Sequence, residues 1–275
     1  MALPMHQQFS FKRNTDHELK VNKDLHVINN YFKYKNNLKY EGTIVECGTA
    51  EGWHDPGSFL EKNLNWKFIG FEVDPIFWPQ LCMNKPSSLK INKALTNFDG
   101  QTDFTVSAWG GNSSINHSTE HQKELISYKK TFPDGNYFKQ IKVPAITWRT
   151  FVKQYKISSV DLFILDVEGC EIMVLEGMEG CNVLPDVMIV EIGRSDYNNT
   201  LRNEETKEDF SGFKIIKDFM KKLEYEFNYF SDNNGMFSKK VFWNNKEKPN
   251  KWIGETNKFE HMGYVIYDKE KCKLL

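Results

Sequence analysis

The chain has 275 residues, 40% hydrophobic and 14% aromatic, enough to bury a full core and to exclude disordered, collagen-like and mini-protein classes. Its formal charge is -1 and its arginines are confined to Arg13, Arg149, Arg194 and Arg202, which disfavours nucleic acid as a partner, because bidentate contacts to phosphates and base edges fall mainly to arginine. Cys47, Cys82, Cys170, Cys181 and Cys272 form no C-x-x-C pair, so neither a disulfide framework nor a zinc site is expected, and a reducing, cytoplasmic setting fits.

Residues 1–40 are polar and rich in asparagine and lysine, with Leu25, Ile28, Tyr31 and Phe32 at helical spacing, which predicts an amphipathic lead-in helix. No secretory signal is expected there, and no stretch reaches the roughly 18 apolar residues of a membrane span. From Thr43 short apolar runs alternate with helical stretches: TIVEC, a helix around Gly57 to Leu64, KFIGFEV, a helix from Pro75, and SLKINKAL. Such alternation marks βαβ units and a parallel sheet. Asp55-Pro56 supplies an N-cap and a first-turn proline for a helix that starts late.

The stretch at about 97–147 contains the glycine-serine segment AWGGNSSINHSTEH and the strand-like IKVPAITW. An insertion of that length is expected to act as a lid or substrate wall. A second set of runs follows: VDLFILDV as a buried strand, CEIMVLEGM as a helix closed by Gly180, and PDVMIVEI as the next strand. Residues 196–211 form another polar insertion, followed by a helix near Phe213 to Leu223. EFNYF, MFSKKVFW and MGYVIYD read as closing strands, antiparallel at one edge. The expectation is a single α/β domain over residues 41–275, doubly wound and mostly parallel.

Three segments carry candidate chemistry. The first strand runs into Glu46-Cys47-Gly48-Thr49-Ala50-Glu51-Gly52, where glycines permit a sharp turn and close approach of a nucleotide-like cofactor to the main chain. Glu46 is a carboxylate on a buried strand and needs a cationic partner. The second strand ends at Glu72-Val73-Asp74-Pro75, which places a carboxylate to accept hydrogen bonds from ribose hydroxyls, with Asp74 as a helix cap. Val73 and Ala94, near the ends of the second and third runs, complete the expected cofactor set. The third segment, Asp166-Val167-Glu168-Gly169-Cys170-Glu171, gathers three carboxylates at the end of a central strand. A helix N-terminus accounts for Glu168 and Glu171, but not for Asp166 on its apolar strand.

These segments resemble the FkbM-type methyltransferase family: the acidic residue and glycine turn of Glu46 to Gly52, the glutamate and proline of Glu72 to Pro75, the aspartate-x-glutamate-glycine-x-glutamate of Asp166 to Glu171, and the strand ending at Glu191. The resemblance spans about residues 40–195, and its third motif is the specific one. It departs from the usual family form at Cys47, at Glu51 and at His54-Asp55-Pro56.

The resemblance implies a Rossmann-like class I fold, S-adenosylmethionine as donor with S-adenosylhomocysteine as product, and methylation of an oxygen on a sugar or other polyol-like acceptor. Within it Glu46, Gly48, Thr49, Gly52, Glu72, Val73, Ala94 and Asp166 are expected at the cofactor. Asp166 is the expected base, Glu168 and Glu171 are expected to position the acceptor, and His117 is an additional candidate because its titration range suits proton transfer. No metal site is predicted, although Asp166 and Glu191, ending neighbouring strands, leave magnesium as an alternative. Two other classes stay open. A nicotinamide oxidoreductase would use the same turn and Glu72, but the G-x-G-x-x-G fingerprint is absent. A non-catalytic binding module would keep the fold without turnover.

Overall fold

The computed structural model describes residues 27–34, 37–38, 41–52, 60–62, 64–115, 117, 119–192, 210–231, 234–250, 252, 258–261 and 264–268. Leu25, the Asp55-Pro56 cap, half of the helix expected around Gly57 to Leu64 and nearly all of the insertion at 196–211 lie outside the described residues; the other half, residues 60–62 and 64, is helical.

Before the main sheet, Ile28–Phe32 forms one π-helical turn leading into the small antiparallel pair β1 (Lys33–Tyr34) and β2 (Asn37–Leu38). The strands β3 (Thr43–Cys47) and β4 (Lys67–Phe71) then pair in parallel. A turn at Pro75 to Phe77 precedes α1 (Trp78–Asn84), and β5 (Leu89–Ile91) joins β4 in parallel. The run SLKINKAL is therefore not one strand. It breaks at Asn92-Lys93, and its second half, β6 (Ala94–Thr96), enters a different sheet.

That second sheet is the insertion. β7 (Gly100–Ser107) and β8 (Phe138–Thr147) pair antiparallel along their length, β6 lies parallel to β8, and α2 (Thr119–Ser127) is carried between β7 and β8. Ala94, Phe104, Val106 and Val143 form its own small apolar core. Thr147, whose side chain accepts the N–H of Thr150, caps α3 (Trp148–Gln154) and returns the chain to the main sheet.

The second half adds β9 (Leu162–Leu165), α4 (Glu171–Glu176), β10 (Val187–Glu191), α5 (Phe210–Lys222), and the antiparallel pair β11 (Tyr225–Ser231) and β12 (Asn234–Lys239). α4 ends earlier than expected, with Gly177 at its C-cap, and Gly180 closes the turn beyond it at φ 66°. The segment KVFW is a 3-10 turn, and the last expected strand, β14 (Tyr264–Asp268), pairs with β13 (Lys258–His261) in a separate hairpin.

The main sheet has the order β11-β12-β10-β9-β3-β4-β5. All pairs from β10 to β5 are parallel, and β12 lies antiparallel between β10 and β11. The chain thus winds outward from β3 in one direction and from β9 in the other, which is the doubly wound, Rossmann-like arrangement implied by the resemblance. Every residue of β9 and β10 is buried, as a sheet covered on both faces requires. Phe163, Leu165, Met188 and Val190 face a core with α3, α4 and α5, while Leu162, Ile164, Val187 and Ile189 face the opposite core.

The segment read as a lead-in helix is part of that opposite core. Ile28, Tyr31 and Phe32 are buried there with Trp66, Tyr229, Phe242 and Trp252. Asn30 Nδ2 donates to Tyr229 Oη at 2.7 Å and Tyr31 Oη to Asn228 Oδ1 at 2.8 Å. No helix among the described residues is long and apolar enough to cross a membrane.

Candidate active site at the strand ends

The sheet's switch point falls between β3 and β9, and there a cavity of about 240 Å³ opens at the carboxyl ends of the parallel strands, where open α/β sheets place their ligands. Its floor comes from Gly48 after β3, Glu72 after β4, Ala94 after β5 and Asp166 after β9. Its outer wall comes from the insertion, through Phe104, Gly111, Ser113 and Ile115.

Gly48 is dictated by geometry. It adopts φ 84°, and a Cβ there would stand 1.6 Å from the carbonyl oxygen of Asp166. Only glycine lets the turn after β3 meet the end of β9 this closely. Gly52 is also left-handed, at φ 80°, but a Cβ there would strike Leu81 of α1. Its requirement comes from helix packing rather than from the cavity. Thr49 is fully buried, with Oγ1 donating to the carbonyl of Phe71 at 3.0 Å. It therefore ties the turn to β4. Glu46, 1% exposed, sits within β3 and is not part of the cavity lining.

Glu72 is held by its own loop and by the glycine turn. Oε2 accepts the N–H of Ala50 at 2.7 Å, and Oε1 accepts those of Val73 at 2.8 Å and Asp74 at 2.7 Å. Burial pushes its carboxyl up to about 7, against the three N–H donors that favour the charged form. A bound diol would add donors to this carboxylate at the edge of the cavity. Asp74 accepts the N–H of Ile76 within the Pro75 turn instead of capping the helix as expected, because α1 starts later with Phe77 at its N-cap, and its Oδ2 also accepts the hydroxyl of Ser113. That bond fastens the insertion to the β4 loop and had no local signal in the sequence.

The third segment forms the densest group of charges. Asp166 and Glu168 line the cavity, and one carboxylate oxygen from each lies within 4.8 Å of a carboxylate oxygen of Glu191 at the end of β10. Glu171 is 1% exposed and does not line the cavity. Its Oε1 instead accepts the N–H of Val167 at 3.1 Å and of Gly169 at 3.3 Å, which shapes the loop that presents Asp166 and Glu168. Burial, followed by the charge of Asp166, raises its carboxyl to about 7. Glu191 is raised by burial and then by the charges of Asp166, Glu168 and Glu171.

His117 stands apart from this group. Its Nε2 meets the carbonyl of Asn112, its ring lies 5.3 Å from that of Phe138, and it is not in the cavity lining. Burial lowers its pKa. Cys47 lines the cavity, and burial pushes its thiol well above the ordinary range.

A glycine turn, an acidic residue after the second strand and a carboxylate cluster after the fourth parallel strand, all at a switch point, define a nucleoside-cofactor domain of the class I methyltransferase type. Residues 46–227 match the methyltransferase FkbM domain, and the chain belongs to that family of S-adenosylmethionine-dependent methyltransferases. No curated protein shows a match. Among solved structures, a SAM-dependent methyltransferase from Aquifex aeolicus matches with 8% identity and a TM-score of 0.38, over 86% of this chain and 98% of that one.

Proposed function

We propose that this methyltransferase acts on a hydroxyl oxygen of a sugar, glycan or other polyol-like small molecule, in a cytoplasmic setting and without nucleic acid as partner. The observation that supports it is the placement of Asp166. This carboxylate lines the cavity together with Glu72 and Glu168, so the donor and a hydroxylated acceptor would meet beside it.

In this proposal Gly48, Ala50, Glu72, Val73 and Ala94 hold the donor. Glu72 receives the ribose hydroxyls, and Phe77, Phe104 and Ile115 offer apolar walls to a flat base. S-adenosylmethionine supplies a methyl carbon made electrophilic by its cationic sulfur. The acceptor oxygen forms the new C–O bond as the C–S bond breaks with its electron pair going to sulfur. Asp166 takes the hydroxyl proton, and Glu168 accepts a hydrogen bond from a neighbouring hydroxyl. The cavity's main contribution is alignment of the two reactants. Glu171 acts at one remove, by holding the loop.

The test is a panel of glycans and hydroxylated small molecules incubated with methyl-labelled donor, read by label transfer and then repeated with Asp166→Ala. Transfer to an alcohol oxygen, reduced about 100-fold or more in the variant, is the expected result. Full-rate transfer by Asp166→Ala removes the base assignment. Label found only on nitrogen or carbon removes the acceptor class.

A further inference from the structure

Ser113 and Ser114, adjacent in the insertion, have no part in the chemistry proposed above, yet they are bonded to the loops after β4 and after β9. Ser113 Oγ donates to Asp74 Oδ2, on the loop that presents Glu72, and accepts the N–H of Ser107 at 2.9 Å. Ser114 Oγ donates to the carbonyl of Glu168 at 2.9 Å, on the loop that presents Asp166. Ser114 is 1% exposed, and its main chain is bridged to β7. Its N–H reaches the Thr105 carbonyl at 3.1 Å, and its own carbonyl accepts the N–H of Thr105 at 2.9 Å. A hydroxyl has one proton to give, so the Cys170 thiol, 3.6 Å from Ser114 Oγ, is the donor in that contact.

The bond from Ser114 completes a grip on a single peptide unit. The carbonyl of Glu168 and the N–H of Gly169 share one plane. Ser114 holds the carbonyl, and Glu171 Oε1 accepts the N–H at 3.3 Å. Glu168 stands at φ 54° and Gly169 at φ 96°, left-handed backbone that a glutamate keeps only where its surroundings hold it there. Without the Ser114 hydroxyl this grip is left to the N–H end, and Asp166 and Glu168 lose their fixed aim into the cavity that both line. Methyl transfer depends on alignment, and a misplacement of about 1 Å costs on the order of 100-fold in rate.

We propose that Ser114 is a positioning residue for methyl transfer, fixing the Glu168–Gly169 peptide and with it the aim of Asp166 and Glu168. Ser113 is its counterpart on the loop of Glu72. The insertion thereby ties together two loops that line one cavity. That Asp166 and Glu168 serve a hydroxyl acceptor rests on the reading above; the hold of Ser114 on their loop does not.

Ser114→Ala removes one oxygen and adds no atom to the buried site. In the full-length variant, amide hydrogen exchange at Val167 and Gly169 should speed up about tenfold or more, with β10 and β12 unchanged. The kcat for label transfer, measured at saturating donor on whichever compound of the panel accepts the methyl group, should fall about tenfold or more. Calorimetric affinity for S-adenosylhomocysteine should stay within about twofold, because the proposed donor contacts lie after β3, β4 and β5. Ser127→Ala, at the exposed end of α2, should match wild type in all three measurements. Unchanged exchange at Val167 and Gly169, or a wild-type kcat, overturns the proposal. So does a loss of product affinity as large as the loss in kcat, which would mark general loosening of the site. Full transfer to a hydroxyl by Ser114→Ala removes Ser114 and keeps the hydroxyl acceptor. A fall in kcat on a nitrogen or carbon acceptor keeps Ser114 and removes the hydroxyl.

Discussion

Two buried regions of this protein treat polar groups in opposite ways. On the face covered by the N-terminal segment, Asn30 pairs with Tyr229 and Tyr31 with Asn228, neutral groups whose hydrogen bonds sit among stacked rings. At the rim of the same sheet, Glu72, Glu171 and Glu191 are also buried, and all three carboxyls are pushed upward, first by burial and then by like charges, from Asp74 at Glu72 and from the Asp166 group at Glu171 and Glu191. Paired neutral groups cost folding little, whereas like charges out of water oppose it. The first region is therefore built for the fold, and the second is retained despite the fold.

The largest effect belongs to the point where the rim is pinned. Gly48→Ala would place a methyl group 1.6 Å from the Asp166 carbonyl at φ 84°, so β3 and β9 could not keep their approach. A loss of about 4 kcal/mol or more is expected, together with loss of S-adenosylhomocysteine binding by calorimetry. Gly100→Ala, at φ 144° with nothing within 4 Å of the new Cβ, is the matched control. It should cost only about 1–2 kcal/mol of backbone strain and leave product binding intact. Similar losses in both variants would show that left-handed backbone, not the contact with Asp166, sets the cost at Gly48.

Smaller, and opposite in sign, is the effect of relieving the charge at Glu171. Its carboxyl is raised from 4.5 to about 7, mainly by burial, so the folded chain binds this proton more tightly than the unfolded one. The stability it lends is fully present below pH 4.5 and is lost as pH rises through 7, with a slope approaching about 1.4 kcal/mol per pH unit in between. Glu72 is raised to about 7 as well and acts in the same direction. Thermal unfolding of the ligand-free protein should therefore show lower stability at pH 8 than at pH 6. Glu171→Gln should flatten that difference and raise the midpoint at pH 8 by a few degrees. A midpoint that rises with pH in the wild type, or a variant as pH-dependent as the parent, would remove the rim as a destabilising region.

These two regions also differ in how far the sequence discloses them. The strands β3, β4, β9 and β10 are legible because burial on both faces makes them near-continuous apolar runs, and Asp166 is legible because it interrupts one. The exposed first half of β7, GQTD, hides that strand, and the Asn92-Lys93 break that splits β5 from β6 carries no glycine or proline. Thr49 and Gly52 sit in a cofactor-type motif, yet they serve the β4 carbonyl and α1. Motif position alone does not say which way a side chain faces. The Asp74–Ser113 bond joins residues 39 apart, and the Tyr31–Asn228 bond joins residues 197 apart. Contacts of that kind depend on the tertiary arrangement and leave no local period to read.

The smallest expected effect tests whether the aromatic face is as separate from the chemistry as its neutral pairing implies. Tyr31→Phe keeps the ring among Phe242, Trp243 and Trp252 and removes only the hydroxyl that Asn228 accepts. The apolar burial is unchanged, so the cost is one hydrogen bond plus part of the desolvation of the Asn228 carbonyl, about 1–2 kcal/mol. Denaturant melts should show that loss as a shift in midpoint at constant m-value. Methyl transfer at saturating donor should stay within twofold of wild type, because Tyr31 lies in the core on the face opposite α3, α4 and α5 and is not part of the cavity lining. A larger change in kcat would mean that packing of the N-terminal segment reaches the ends of β9 and β10 through the sheet, and the division between a region that folds and a region that reacts would fail.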